Sequence, residues 1–108
     1  MNEYVVYCLW SLKFDKIYIG YSGNLIERIK SHNSLSTSGY TLRYRPWIVI
    51  HVEFFNNKRE AMIREKYLKT SRGRAFVRQL IEAYHEMFRY MAAFFRQVRN
   101  QEKPNFTE

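Results

Sequence analysis

Five polar side chains stand out in a chain rich in apolar and basic residues: Tyr7, Tyr18, Arg28, His32 and Glu65. Each alone has a bland explanation. A strand tyrosine commonly packs, a lone histidine is commonly satisfied inside the fold, and a glutamate among Lys and Arg commonly pairs at i,i+4. Together they supply what phosphodiester hydrolysis needs: a proton acceptor, a cation for phosphate charge and a carboxylate for a divalent metal. A tyrosine, with an unperturbed pKa of about 10, needs positive charge nearby, from Arg28, Lys69 or the metal, to act as a base at neutral pH. Other chemistries are excluded by inspection: there is no Gly-rich phosphate loop with its Lys, no paired-Cys zinc spacing, no His-Glu-x-x-His and no Gly-x-Ser-x-Gly elbow. His32, His51 and His85 are the only histidines, and their spacing makes a three-His metal site improbable.

These residues need a scaffold, and hydrophobic patterning outlines one. Residues 4–10 and 17–21 are β-branched and aromatic, which predicts a hairpin. A register symmetric about the connection sets Tyr7 opposite Tyr18, with both phenols on one sheet face. Asn24 with Glu27 three residues on predicts a helix start, and Leu25, Ile26 and Ile29 form its apolar stripe, ending near His32. Arg28 and His32 border that stripe. Residues 34–39, rich in Ser and Thr, predict a mobile loop. Pro46 introduces a third strand over residues 47–55, expected to be buried on much of both faces. Asn56 and Asn57 then turn the chain into a helix over residues 58–69 that Gly73 breaks. A long helix over residues 74–100 repeats Val77, Tyr84, Met91 and Val98 seven apart. The fold class predicted is α+β: a small three-stranded, mostly antiparallel sheet flanked by helices in the order β-β-α-β-α-α, with an extended C-terminal amphipathic helix.

Charge narrows the partners. The 108 residues carry 18 Lys and Arg against 10 Asp and Glu, a net charge of +8, and 46% are hydrophobic, so the chain suits one folded domain with a polyanionic partner. From Lys58 to Arg78 eight basic residues face only Glu60 and Glu65. That density reads as a phosphate-facing patch, with Lys58, Arg64, Lys66, Lys69, Arg72 and Arg74 as candidate nucleic-acid contacts. From Gln79 onward four basic residues balance four acidic ones. The single cysteine, Cys8, excludes a disulfide framework and suits a reducing, cytoplasmic setting. No window has the roughly 18 uninterrupted apolar residues of a membrane span.

The order of landmarks resembles the GIY-YIG nuclease superfamily. They are Val5-Val6-Tyr7, Tyr18-Ile19-Gly20, the run from Asn24 to His32, Arg45-Pro46-Trp47, and Glu60-Ala61 followed by Glu65 and Lys69. The likeness is closest to its short single-domain members, which are similar to the nuclease domains of structure-selective DNA repair enzymes. Val5 stands where the first motif's glycine is expected. The resemblance implies that Tyr7 orients or deprotonates the attacking water, that Tyr18 shares its proton network and that Arg28 stabilises charge on the phosphate. It further implies that His32 assists proton transfer, that Glu65 is the single carboxylate ligand of Mg²⁺ or Mn²⁺, and that Gly20 permits a close approach. Lys69 matches a family lysine that contacts phosphate or neutralises the site. The expectation is a nuclease-like domain over residues 1–80, the long helix packing on it or joining two copies as a homodimer, and a polar tail over 101–108. The substrate expected is DNA, with RNA as the alternative. A non-catalytic nucleic-acid-binding module with a dimerising helix is the second reading.

Overall fold

The computed structural model describes residues 4–31, 33 and 39–102. His32, the expected loop at 34–38 and residues 103–108 of the expected tail lie outside the described residues. Strands β1 (Tyr4–Ser11), β2 (Lys16–Ser22) and β3 (Ile48–Phe55) form one antiparallel sheet in the order β2-β1-β3. Helices α1 (Leu25–Lys30) and the single-turn α2 (Tyr40–Arg43) connect β2 to β3, and α3 (Lys58–Leu68) and α4 (Ser71–Glu102) follow. The expected α+β architecture is present, with α2 added.

Strand β1 lies at the centre, and every residue from Val5 to Ser11 is buried. The third strand, expected to be buried on both faces, is instead an edge. Most of its side chains are half-buried, and Val49 and Phe54 are exposed. Composition favours a strand at 48–55 but does not distinguish a central from an edge position; strand order does that. A register shift between Cys8 and Leu9 leaves Ile50 as the extra residue on β3, a bulge that bends this edge.

The hairpin register also differs from the symmetric expectation. Tyr7 pairs with Gly20, and Tyr18 pairs with Leu9. The four-residue connection, with Asp15 at φ 54° and its N–H bonded to Ser11 O at 2.7 Å, moves the turn centre and shifts the pairing by two residues. A two-residue shift preserves the face, because side chains alternate with period two. Tyr7 and Tyr18 therefore still share one side of the sheet.

The opposite side carries the larger core. Val6, Cys8 and Trp10 of β1, with Ile17 and Ile19, pack under Ala61 and Leu68 of α3 and Val77 and Ile81 of α4. The expected helix start at Asn24 is capped, its Oδ1 accepting from Glu27 N–H at 3.2 Å, and Asn57 Oδ1 likewise accepts from Glu60 N–H at 2.9 Å at the start of α3. The expected break at Gly73 falls instead at residues 69–70. Thr70 caps α4, its Oγ1 accepting from Gly73 N–H at 3.3 Å and its carbonyl from Arg74 N–H at 2.9 Å. Gly73 lies inside the first turn of α4 because the corner is tight: a Cβ there would sit 2.3 Å from Leu68 Cα.

Only the first part of α4 covers the sheet. His85 meets the Trp10 ring of β1, centroids 4.8 Å apart. Residues 86–101 are exposed apart from half-buried Ala92 and Val98, so about 25 Å of helix at 1.5 Å per residue projects from the domain. The molecule measures 68 Å along its long axis and 30 Å across.

Candidate active site

Tyr7 is the organising side chain. It has no exposed surface, and the sheet makes room for its ring by placing Gly20 opposite. A Cβ on Gly20 would lie 2.6 Å from Tyr7 Oη and 2.8 Å from its Cζ, so any larger residue would displace the phenol. The expected close approach at Gly20 is thus the approach of Tyr7 itself. Val5, at the place of the first motif's glycine, is an ordinary buried strand residue paired with Ser22 and Phe54.

The Tyr18 ring stacks beside Tyr7, with centroids 6.3 Å apart and planes 25° from parallel. Arg28, exposed on α1, reaches over both; its guanidinium hydrogen-bonds the Tyr7 and Tyr18 hydroxyls. These bonds hold the Arg28 pKa above its ordinary value. Burial raises the Tyr7 pKa, and the Arg28 bond and charge only partly oppose it, while the charges of Tyr18 and Glu65 push it further up. Arg28 thus favours phenolate as expected, but without a metal desolvation outweighs it, and Tyr7 is a neutral phenol at neutral pH.

Glu65 approaches from α3, close enough for its charge to act on Tyr7. Its side chain is 16% exposed, and one carboxylate oxygen accepts from Lys69 Nζ at 2.7 Å, one helical turn on. The two phenols and the guanidinium form one cluster, and the Glu65 carboxylate acts on Tyr7 through its charge. Among the described residues no three His, Cys, Asp or Glu side chains gather into a metal-binding group. A lone carboxylate fits a cation that keeps most of its waters, as Mg²⁺ does, with Lys69 as the competing partner.

Of the basic residues, Lys58, Lys66, Lys69, Arg72 and Arg74 are exposed. Arg74 also donates through Nε to Lys69 O at 3.2 Å, closing the α3–α4 corner. Arg64 differs from these in being half-buried and already ion-paired. It turns inward and binds Glu53 of β3 in a two-pronged pair, Nε to Oε1 at 2.8 Å and Nη2 to Oε2 at 3.0 Å. The signal was present in the spacing: Arg64 is three residues after buried Ala61 and four before buried Leu68, on the same helix stripe.

Spacing alone missed the support around Tyr18. Trp47 lies edge-on to it at 6.2 Å and Tyr40 at 6.4 Å. Trp47 is buried and pinned by Asn33, whose side chain accepts from Trp47 N–H at 2.6 Å and donates to Trp47 O at 3.1 Å. No helix is long and apolar enough to cross a membrane, among the described residues.

The GIY-YIG catalytic domain matches residues 3–78, the span that contains the sheet and every element of this site. A UPF0213 protein of Clostridium perfringens is 41% identical over 66 residues, covering 61% of this chain and 67% of its own length. One from Staphylococcus haemolyticus is 39% identical over 67 residues, covering 62% and 77%. YazA of Bacillus subtilis, also a UPF0213 protein, is 42% identical over 66 residues, covering 61% and 63%. No solved structure matches. With two stacked phenols, a bridging guanidinium and a helical carboxylate set on this sheet inside the matched span, the chain belongs to the GIY-YIG family, whose catalytic domain is that of nucleases.

Proposed function

We propose that this chain is a divalent-metal-dependent endonuclease that hydrolyses phosphodiester bonds in DNA, selective for structure rather than sequence, of the repair or recombination type. The observation that carries this reading is the Tyr7–Arg28–Tyr18 set, roofed by an exposed guanidinium and placed within charge range of Glu65. Arg28 binds the scissile phosphate and in doing so leaves the Tyr7 hydroxyl, which then orients the attacking water. Water oxygen bonds to phosphorus as the bond to the leaving oxygen breaks; Tyr7 Oη takes the water proton as the phenol's own proton passes on through Tyr18 to the imidazole of His32, and the leaving oxygen takes a proton from solvent. Glu65 would hold Mg²⁺ or Mn²⁺, whose charge would offset the carboxylate at Tyr7 and stabilise negative charge on the phosphate. Lys69, Lys58, Lys66, Arg72 and Arg74 contact the phosphate backbone, which carries affinity without reading sequence. A buried thiol at Cys8 suits a cytoplasmic setting.

The test is a cleavage screen of branched, flapped, nicked and linear DNA, and of RNA, with Mg²⁺ and Mn²⁺. Wild-type cleavage lost in Tyr7→Phe and Glu65→Ala is expected. Cleavage that Glu65→Ala leaves unchanged removes the mechanism. One observation favours the second reading, a non-catalytic nucleic-acid-binding module: Tyr7 is fully buried and neutral. That reading expects salt-sensitive binding and no turnover with any metal.

We also propose a homodimer through the projecting half of α4. Met87, Phe88, Met91, Phe94 and Phe95 are all more than 40% exposed there. The seven-residue spacing of Tyr84, Met91 and Val98 suits a second copy of the same helix, whereas an anionic membrane finds no net positive charge, because three glutamates balance three arginines from Glu82 to Glu102. Light scattering at micromolar concentration is expected to give twice the chain mass, reduced to one by Phe88→Glu with Phe95→Glu. A wild-type monomer ends this reading.

A further inference from the structure

We propose that an aromatic ledge beside the site, formed by Phe14, Tyr40 and Tyr44 against Trp47, receives an unpaired nucleobase, so that the substrate presents single-stranded nucleotide next to the cleaved phosphate. This deepens the nuclease reading and rests on it for the place of that phosphate.

The ledge is exposed where core aromatics are not. Tyr40 is 45% exposed and Phe14 41%, while Trp47 beneath them is 3% exposed. Its rings are held rather than loose. Tyr40 Oη donates to Ile17 O at 3.2 Å, and its ring stacks on Trp47 with centroids 5.8 Å apart and planes 26° from parallel. Trp47 is itself fixed by its Nε1–H, which donates to Thr41 O at 2.9 Å. Tyr44, one turn after Tyr40, meets it edge-on at 4.8 Å, and Phe14 meets Tyr44 edge-on at 5.5 Å.

Cations border these rings. Lys16 Nζ and the Arg43 guanidinium each lie 5.4 Å from the Tyr44 centroid, and Lys13 Nζ lies 5.4 Å from that of Phe14. Rigid exposed π-faces interleaved with positive charge are the chemistry that binds single-stranded nucleic acid, because every unpaired base offers a face to stack and a phosphate to neutralise. A paired base keeps both faces inside its own stack. The ledge is also continuous with the site: Tyr18 stands 6.3 Å from the Tyr7 ring and 6.4 Å from the Tyr40 ring, so a base on Tyr40 belongs to a nucleotide adjacent to one at Arg28.

The experiment is equilibrium binding by fluorescence anisotropy, full chain, in EDTA so that cleavage plays no part. The probes are a 12-nucleotide oligothymidine, an abasic strand of equal length and charge, and a 12-base-pair duplex. Wild type is expected to bind oligothymidine about tenfold more tightly than the abasic strand, as base stacking on an aromatic side chain dictates. Tyr40→Ala and Tyr44→Ala are expected to lose most of that preference while keeping abasic-strand binding, and Tyr40→Phe, which retains the ring, to keep it. Equal wild-type affinity for the two single strands overturns the proposal without any variant, as does a preference that survives both alanine substitutions. Cleavage without base discrimination overturns the ledge and leaves the nuclease standing. Base discrimination without cleavage under any divalent metal supports the ledge and removes the nuclease.

Discussion

Two arginine-centred polar clusters lie against the same small sheet, and they are built to opposite ends. In one, Glu53 of β3 accepts two bonds from Arg64 and one from His51 Nε2 at 2.7 Å, while the His51 and Phe76 rings meet edge-on at 5.5 Å. Charge meets charge, and the cluster joins α3 and α4 to the sheet edge. In the other, Arg28 bonds two phenols in place of a carboxylate, so its positive charge stays directed to solvent and to an arriving anion. Burial works against the Glu53 charge, yet the bonds and charges of Arg64 and His51 outweigh it and hold its pKa below the ordinary carboxylate range. Around Tyr7 the balance falls the other way, and burial outweighs Arg28. A guanidinium opposite a carboxylate makes structure; the same group opposite phenols leaves a site for phosphate.

Exchanging which arginine is removed gives the largest contrast. Arg28→Ala is expected to lower cleavage at least about a hundredfold, the usual scale for deleting one donor to developing charge, with little change in melting temperature. Arg64→Ala is expected to keep cleavage within a few-fold while costing about 1–2 kcal/mol of stability, measured by urea titration, since it leaves Glu53 half-satisfied at a partly exposed position. Equal activity losses in the two variants would erase the distinction.

Gly20→Ala comes next. Its methyl group would press on the Tyr7 hydroxyl, and about 1–3 kcal/mol of overpacking cost is expected together with a loss of cleavage. A variant with wild-type activity would show that Tyr7 is not held where catalysis needs it.

Acid and base should separate the clusters by sign. Glu53 has a depressed folded pKa, so its stabilisation is complete above its unfolded value of about 4.3 and is lost as pH falls through the lower folded value. Tyr7 has a raised folded pKa, so its contribution is present below about pH 10 and is lost as pH rises through the higher folded value. Denaturant titrations across pH 3 to 6 are expected to show a slope that Glu53→Gln reduces and Tyr7→Phe leaves intact. The smallest effect concerns Cys8, whose thiol burial, with Glu53 nearby, pushes up to about 12. It is expected to resist a thiol-labelling reagent at pH 8 in the native protein and to react fully in denaturant.

Much of this was legible before any coordinates. Asn24 announced its helix because a cap is a bond between residues three apart. Tyr7 and Tyr18 were assignable to one face although their pairing was misjudged by two residues, because parity survives an even slip. Gly73 misled because glycine after a helix suggests a stop, while here it permits the next helix to begin close against the last.

Local patterning determined the elements, their order, the basic segment and the residues able to handle phosphate, since backbone hydrogen bonding and side-chain periodicity act over a few residues. Tertiary structure alone decided that β1 is central and β3 an edge, that Gly20 lies under Tyr7, that Arg64 turns to Glu53 and that Tyr7 is too deeply buried to ionise readily. Each of these depends on partners distant along the chain, and desolvation and charge pairing have no value until folding sets the distances.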